Sequence, residues 1–477
     1  MKKTLVLILA LVMLMSCLAG CGTKAAEEPK NEAPAEEAAV EETEAVEKET
    51  VKIYVPAWFY GFCKDMGDQY NTENPDSKYV MDVNELVADN SDINTKSIMM
   101  MQSSNTCPDV IAEDGFLVNN DAMAGHLSPL DDYIATFDDM DQIVPSIVNG
   151  ARCELDNKVY GMPLNTSLNG LWYSKIMVEK AGYDPDTFQP KTWDEMLDAA
   201  RKMQKVAQDE GREDFIPLYL NIASSDAERT SMKPMQTLYS GTDGVFYDFE
   251  IGKWVVDYEN LGKVLNMYDI VYNKEHLGPP VSLATQTNNV NVIRSDHFVN
   301  DNIGMFIDSQ SLNKAWAPNG EAPMEDWKDK IGFCLVPTEN GDPDRPYTSI
   351  IGGWTMAIPA NAAHKDGGWE FIQYIMSYDA YLKFCVEYNQ MSVRKDVALD
   401  PSYIENPNAV YTFMDCTENT KWGFTRPTTE GYPTVSLLIA EMAEKIGTNQ
   451  APVEEIIKSF EDQLIADFGE DKVDIRK

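Results

Sequence analysis

Two strand candidates with a helix between them constrain this chain most. Val51-Lys52-Ile53-Tyr54-Val55 alternates apolar and mixed positions and stops at Pro56. The next candidate, Lys78 to Val83, begins 27 residues later, close to the length of one strand-helix-strand unit. Between them Phe62, Met66, Gln69 and Tyr70 recur at helical spacing. A second helical stretch, Ile93 to Gln102, and a third strand, Asp109-Val110-Ile111-Ala112, continue the alternation and predict an α/β sheet. Such sheets carry ligands beyond the C-terminal ends of their strands, which puts Ala57 to Tyr60 and Glu113 to Phe116 on the expected ligand side. Thr192-Trp193-Asp194-Glu195 is a capping box, and Trp193, Met196, Leu197, Ala200 and Met203 recur from it at core-facing spacing. Trp369, Ile372, Ile375 and Met376 repeat that pattern.

The first 50 residues read as address and tether. Met1 to Lys3 is a basic start, Leu5 to Met15 an apolar run of 11 residues, and Ser16 to Cys21 a small-residue finish, which is the order of a secretory signal. The run is too short for a transmembrane helix, which needs about 20 residues. Leu18-Ala19-Gly20-Cys21 resembles the bacterial lipobox, which implies cleavage before Cys21 and diacylglycerol on its thiol. Residues 22–50 hold ten Glu, seven Ala and no aromatic residue, so they cannot bury enough apolar surface to offset ordering. They are expected to tether a domain to the outer face of the cytoplasmic membrane.

Residues 51–477 are enough for two or three domains, or for one large two-lobed one. With 44% hydrophobic and 10% aromatic residues the chain must fold around substantial cores. The formal net charge of -39 opposes nucleic acid and anionic lipid, so no nucleic-acid partner is expected. Cys63, Cys107, Cys153, Cys334, Cys385 and Cys416 form no C-x-x-C pair or zinc spacing; three disulfides and buried free thiols both fit them. Nucleophile-elbow, zinc-protease, phosphate-loop and dinucleotide motifs are absent, and the four histidines are scattered. No enzyme activity, cofactor or metal is expected, although 78 acidic residues always leave some carboxylate pair for a glycosidase reading.

An ordered series of segments carries a family resemblance: Pro108-Asp109-Val110, Leu127-Ser128-Pro129-Leu130, Asn157-Lys158-Val159-Tyr160-Gly161-Met162-Pro163, Leu171-Trp172-Tyr173-Ser174-Lys175, Asn302-Ile303-Gly304-Met305-Phe306-Ile307-Asp308 and Gly352-Gly353-Trp354-Thr355-Met356-Ala357. Together they resemble the family 1 extracellular solute-binding proteins of ABC importers, over residues 51 to about 465. The resemblance implies a two-lobed α/β fold of the periplasmic-binding-protein type, with hinge-crossing strands and an interlobe ligand cleft. Lobe one would hold 51–165 and 356–400, and lobe two 170–350 and 405–477. The crossings would fall near Asn165 to Asn169, Ile350 to Thr355 and Pro401. It also implies a monomer that closes on a carbohydrate and delivers it to membrane permease subunits.

Sugar rings pack on aromatic faces while their hydroxyls need donors and acceptors. The expected contacts are Trp58 and Tyr60 after the first strand, Glu113 and Asp114 after the third, and Asn165, Ser167, Gly353 and Trp354 at the crossings. Asp308 and Ser309 come after a further strand, and Trp422, Arg426 and Tyr432 belong to the late segment. Ser167 stands where relatives often carry an acid, and no Trp occurs between Asp308 and Trp316. Leu171-Trp172-Tyr173 reads as a buried strand and Arg394 as a salt-bridged surface residue. A peptide or polyamine receptor of the same shape, and a surface glycosidase, remain competing readings.

Overall fold

The alternation of Val51, Ile53 and Val55 is built into strand β1 (Glu49–Val55), with all three side chains buried. The computed structural model describes residues 48–87, 93–103, 105–318, 320–406, 420–429 and 431–477; the signal segment, Cys21, almost all of the tether and Cys416 lie outside them. The other strands, in chain order, are β2 (Tyr79–Glu85), β3 (Val110–Asp114), β4 (Met162–Pro163), β5 (Ser167–Ser174), β6 (Ile216–Tyr219), β7 (Tyr247–Asp248), β8 (Lys253–Asp257), β9 (Ile303–Ser309), β10 (Ile331–Cys334), β11 (Val336–Pro337), β12 (Tyr347–Gly352), β13 (Trp354–Ala357), β14 (Gly423–Thr425) and β15 (Val473–Arg476).

Among the described residues these strands form three sheets. The first has the order β2-β1-β3-β13-β4, with β1 parallel to β2 and β3, and β13 antiparallel to β3 and β4. The second runs β11-β12-β5-β9-β6, with β10 also on β5 and β14 on β12. A small third sheet, β15-β8-β7, ties the C-terminal strand into the second half.

Each large sheet has its own core. Phe62 and Met66 of the helix Ala57–Glu73, Trp369 and Ile372 of Lys365–Ile375, and Phe384 of Tyr378–Glu387 pack against the first sheet. Gln69, expected on that face, is exposed and bonds to Glu73, because Tyr70 takes the inward position of that turn. The second core centres on Trp172, with Trp316 at 5.3 Å and Phe333 at 4.7 Å between ring centroids. Such contacts contribute about 0.5–1.5 kcal/mol each beyond area burial. Trp193, Met196, Leu197, Ala200 and Met203 of Trp193–Asp209 are all buried there. Thr192 Oγ1 accepts from Glu195 N at 3.1 Å, while Glu195 returns its bond one residue earlier than the box pattern, to Lys191 N.

The chain crosses between the sheets from β4 to β5, through Leu164 to Thr166, and again from β12 to β13, at the single residue Gly353. The two crossings touch: a Cβ on Gly353 would stand 2.2 Å from the Asn165 carbonyl oxygen, so only glycine fits. Cys63, Cys107, Cys153, Cys334 and Cys385 are buried thiols. Burial pushes the Cys107 thiol up to about 11, and those of Cys63, Cys334 and Cys385 further. Arg394 is salt-bridged but not on the surface. It is 1% exposed and donates to Asp139, Asp396 and the Met376 carbonyl, an enclosed brace.

Candidate functional site

The end of β3, the start of the Ala57 helix and the two crossings converge where the sheets meet. Pro56 closes β1, and the first helical turn presents Trp58, 41% exposed, and half-buried Tyr60. Trp354 opens β13 and packs edge-on to Trp58 at 5.2 Å and to Phe59 at 5.9 Å. Asn165 fixes this corner: its Oδ1 accepts from Trp354 N at 3.0 Å and its Nδ2 donates to Gln390 Oε1 at 3.0 Å. Ser167 faces Gly352 across the β5-β12 pairing. Trp58, Tyr60, Asn165, Ser167, Gly353 and Trp354 are thereby gathered around one junction.

Asp114 reaches across it. Arg426 Nη2 donates to Asp114 Oδ1 at 2.7 Å and Nη1 to Glu228 Oε2 at 2.7 Å, while the guanidinium covers the Phe116 ring at 4.3 Å. Burial opposes the charge on Arg426, and Asp114 and Glu228 more than offset it. Burial raises the Asp114 pKa, against the pull of Arg426. Glu228 Oε1 also accepts from Ser436. One arginine therefore joins β3 of the first half to the turn Glu228–Thr230 of the second. Ala227 before that turn holds φ 43°, a strained value for a residue other than glycine, of the kind that collects at functional sites.

Several expected contacts are placed elsewhere. Glu113 alternates to the other face of β3 from Asp114 and is 1% exposed. Burial, then the neighbouring Asp121 and Asp114 charges, push its pKa well up, which favours its neutral acid form. His126 Nδ1 meets Asp121 from the other side at 2.9 Å. Tyr432 is fully buried under Phe116, 5.4 Å between centroids, and accepts from Gln236 at 2.6 Å; it is floor, not lining. Trp422 packs on Tyr347 at the far end of β12, and the four residues from there to Arg426 span about 13 Å of extended chain.

Asp308 is buried and accepts from Lys233, from Arg229 at 3.4 Å and from Ser309 N at 2.6 Å. Burial opposes its charge, and the two cations still hold its pKa below the usual range. Burial brings Lys233 down to about 8 against the pull of Asp308. Ser309 Oγ caps the next turn by accepting from Ser311 N at 3.1 Å. Among the described residues no group of three or more His, Cys, Asp or Glu converges as metal ligands.

Glu228, Arg229 and Lys233 were not expected here, and Phe116 only as the end of a ligand-side loop. A signal existed: all three come after the C-terminal end of β6, the rule that nominated Trp58.

A family model described as bacterial extracellular solute-binding protein matches residues 56–381. An uncharacterised ABC transporter extracellular-binding protein of Pyrococcus horikoshii is 24% identical over 280 residues, 58% of this chain. The match spans 56% of that relative, so the chain aligns with little more than half its length. Among solved structures, the ABC transporter solute-binding protein of Thermotoga lettingae TMO bound with α-D-tagatose superposes with TM-score 0.70 at 22% identity, over 87% of this chain and 99% of that one. Maltose-bound T. maritima MalE3 gives TM-score 0.71 at 21% identity, over 87% and 98%. At these identities the likeness is one of fold, and that fold is the two-lobed α/β architecture.

Proposed function

The chain belongs to the bacterial extracellular solute-binding proteins, and from that premise we propose that it captures a carbohydrate outside the cell by lobe closure and delivers it to the permease of an ABC importer. The observation that carries the reading is the aromatic corner of Trp58 and Trp354, set beside polar groups from both halves at a two-strand crossing. An exposed indole with hydroxyl and amide groups next to it supplies the aromatic surface and the polar partners that a sugar ring and its hydroxyls require. Trp58, Tyr60, Asn165, Ser167, Gly353, Trp354, Asp114 and Arg426 are the proposed contacts. The tagatose- and maltose-bound neighbours support a sugar, and an oligosaccharide suits a junction bounded by several elements.

In this reading lobe one is 51–165 with 356–400, and lobe two 170–350 with 405–477. The protein is a monomer, tethered through lipid on Cys21 and residues 22–50 to the outer face of the cytoplasmic membrane. It performs no chemistry: Asp114 and Glu228 are both committed to one guanidinium rather than left free to exchange a proton with a bound sugar. The same pairing removes the two free carboxylates that a polyamine would seek.

The test is thermal unfolding of residues 22–477 against mono- and oligosaccharides, amino acids, peptides and polyamines. Ligand at 100 times its Kd stabilises by about 2.7 kcal/mol. A shift with one sugar series supports the reading; shifts with peptides or polyamines alone replace the cargo, and product formed from an oligosaccharide would make it an enzyme.

A further inference from the structure

One residue past Glu228, the second half gathers partly buried cations close enough for their charges to act on one another. Arg229, Lys233 and Arg294 are 26%, 13% and 20% exposed. Asp308 is the carboxylate that Arg229 and Lys233 share: its Oδ1 takes Lys233 and Ser309 N, and its Oδ2 takes Arg229. Arg294 lies close enough to Lys233 to disfavour its charge, and pairs outward with Glu321. Its Nε is buried with no acceptor among the described residues.

The other nearby acids are committed. Glu228 is held by Arg426 and Ser436. Asp226 accepts from Asn288 N and Asn221 Nδ2. Among the described residues Arg229 is left with a single hydrogen bond, 3.4 Å long, although a guanidinium has five N–H donors. Enclosing a cation is costly unless it is paired, and structural ion pairs match charges with good geometry. A fork with most of its donors unspent, one residue from the Glu228 that spans the junction, has room for a second oxyanion beside Asp308.

We infer that Arg229, backed by Lys233, forms a subsite for an oxyanion substituent of the cargo, so that the solute is an acidic saccharide such as a uronic-acid oligomer. The inference rests on the carbohydrate reading above. A planar fork beside a point charge suits carboxylate and phosphate or sulfate esters alike.

Isothermal titration of the purified protein with matched saccharides decides it: a uronate oligomer, its carboxyl-reduced neutral counterpart, and a sulfate ester of the same backbone. The uronate or the ester should bind at least tenfold more tightly than the neutral sugar, and rising salt should narrow the gap. Whichever acidic form wins names the oxyanion. Arg229→Gln should abolish the preference while leaving neutral-sugar affinity within about threefold, with Arg229→Lys in between. Equal or tighter binding of the neutral sugar, or equal loss of both in Arg229→Gln, overturns the inference and leaves the sugar receptor standing. No heat from any saccharide overturns both. If Arg229→Gln does not fold, the ratio of acidic to neutral affinity in the parent protein decides alone.

Discussion

Replacing Arg426 by methionine tests whether the charge bridge is a principal fastening between the two halves. Its guanidinium is 5% exposed, against 17% for Asp114 and 27% for Glu228, so removing it leaves two carboxylates facing one another in a site that excludes most water. Breaking a buried pair from one side costs about 3–5 kcal/mol, because the remaining charge is unpaired. Loss of the Phe116 contact adds about 0.5–1 kcal/mol. The net expectation is about 4 kcal/mol at pH 7, read by urea unfolding with the denaturant slope unchanged. Linkage sets the sign with pH. In the variant Asp114 keeps the burial that raises its folded pKa and loses the opposing pull of Arg426, so its protonated form stabilises the fold and that contribution is lost as pH rises. The deficit should therefore shrink at pH 5. The triple variant Arg426→Met, Asp114→Asn, Glu228→Gln should regain most of it, since neutral isosteres remove the unpaired charges. A deficit under about 1 kcal/mol at pH 7, or a triple variant as unstable as the single one, would refute the reasoning.

Trp354→Ala removes the edge-on contacts to Trp58 and Phe59, at about 0.5–1.5 kcal/mol each, and should weaken sugar binding at least tenfold, about 1.4 kcal/mol. Unchanged affinity in a folded variant would take Trp354 out of the site. Burial, then the Asp121 and Asp114 charges, raise the folded pKa of Glu113 above the unfolded one; its stabilisation is full below the unfolded pKa and lost as pH rises through the folded pKa. Glu113→Gln keeps a donor toward Asp121 without that titration. It should match or exceed the parent in stability at pH 8, and a less stable variant there would contradict the raised pKa of Glu113. Cys21→Ala should release the protein from membranes or leave its signal uncleaved, read by fractionation and mass spectrometry; a processed variant still bound to membrane would defeat the lipid anchor.

Local periodicity and local contacts were legible in the sequence, and distant pairings were not. Val51, Ile53 and Val55 announce a strand because burial alternates with the pleat, and Trp193 to Met203 a helix because every third or fourth residue faces the core. The Gly353 crossing was readable because the glycine stands beside a motif of known order. Glu113 and Asp114 are neighbours with opposite fates, and choosing between them needs the sheet's coverings: Asp121 on one face, Arg426 on the other. Arg426 is 312 residues from Asp114, and Arg229 is 79 from Asp308; no window of sequence contains either pair. The same blindness sent Arg394 to the surface, because the Met376 carbonyl and Asp139 that enclose it are remote in the chain or simply unmarked by residue type.

The one-residue joint at Gly353, clasped to Asn165, also bears on the entropy of capture. Ordering a residue of free backbone costs about 1–2 kcal/mol, so a long slack linker would incur that loss on every capture cycle. A joint this short, with Trp354 N already bonded to Asn165, would have few torsions to surrender in the lobe closure proposed above. The free energy of solute contact then passes into affinity rather than into ordering the connection. Lengthening this crossing by inserted glycines should weaken capture through an entropic loss in calorimetry, with the contact enthalpy preserved.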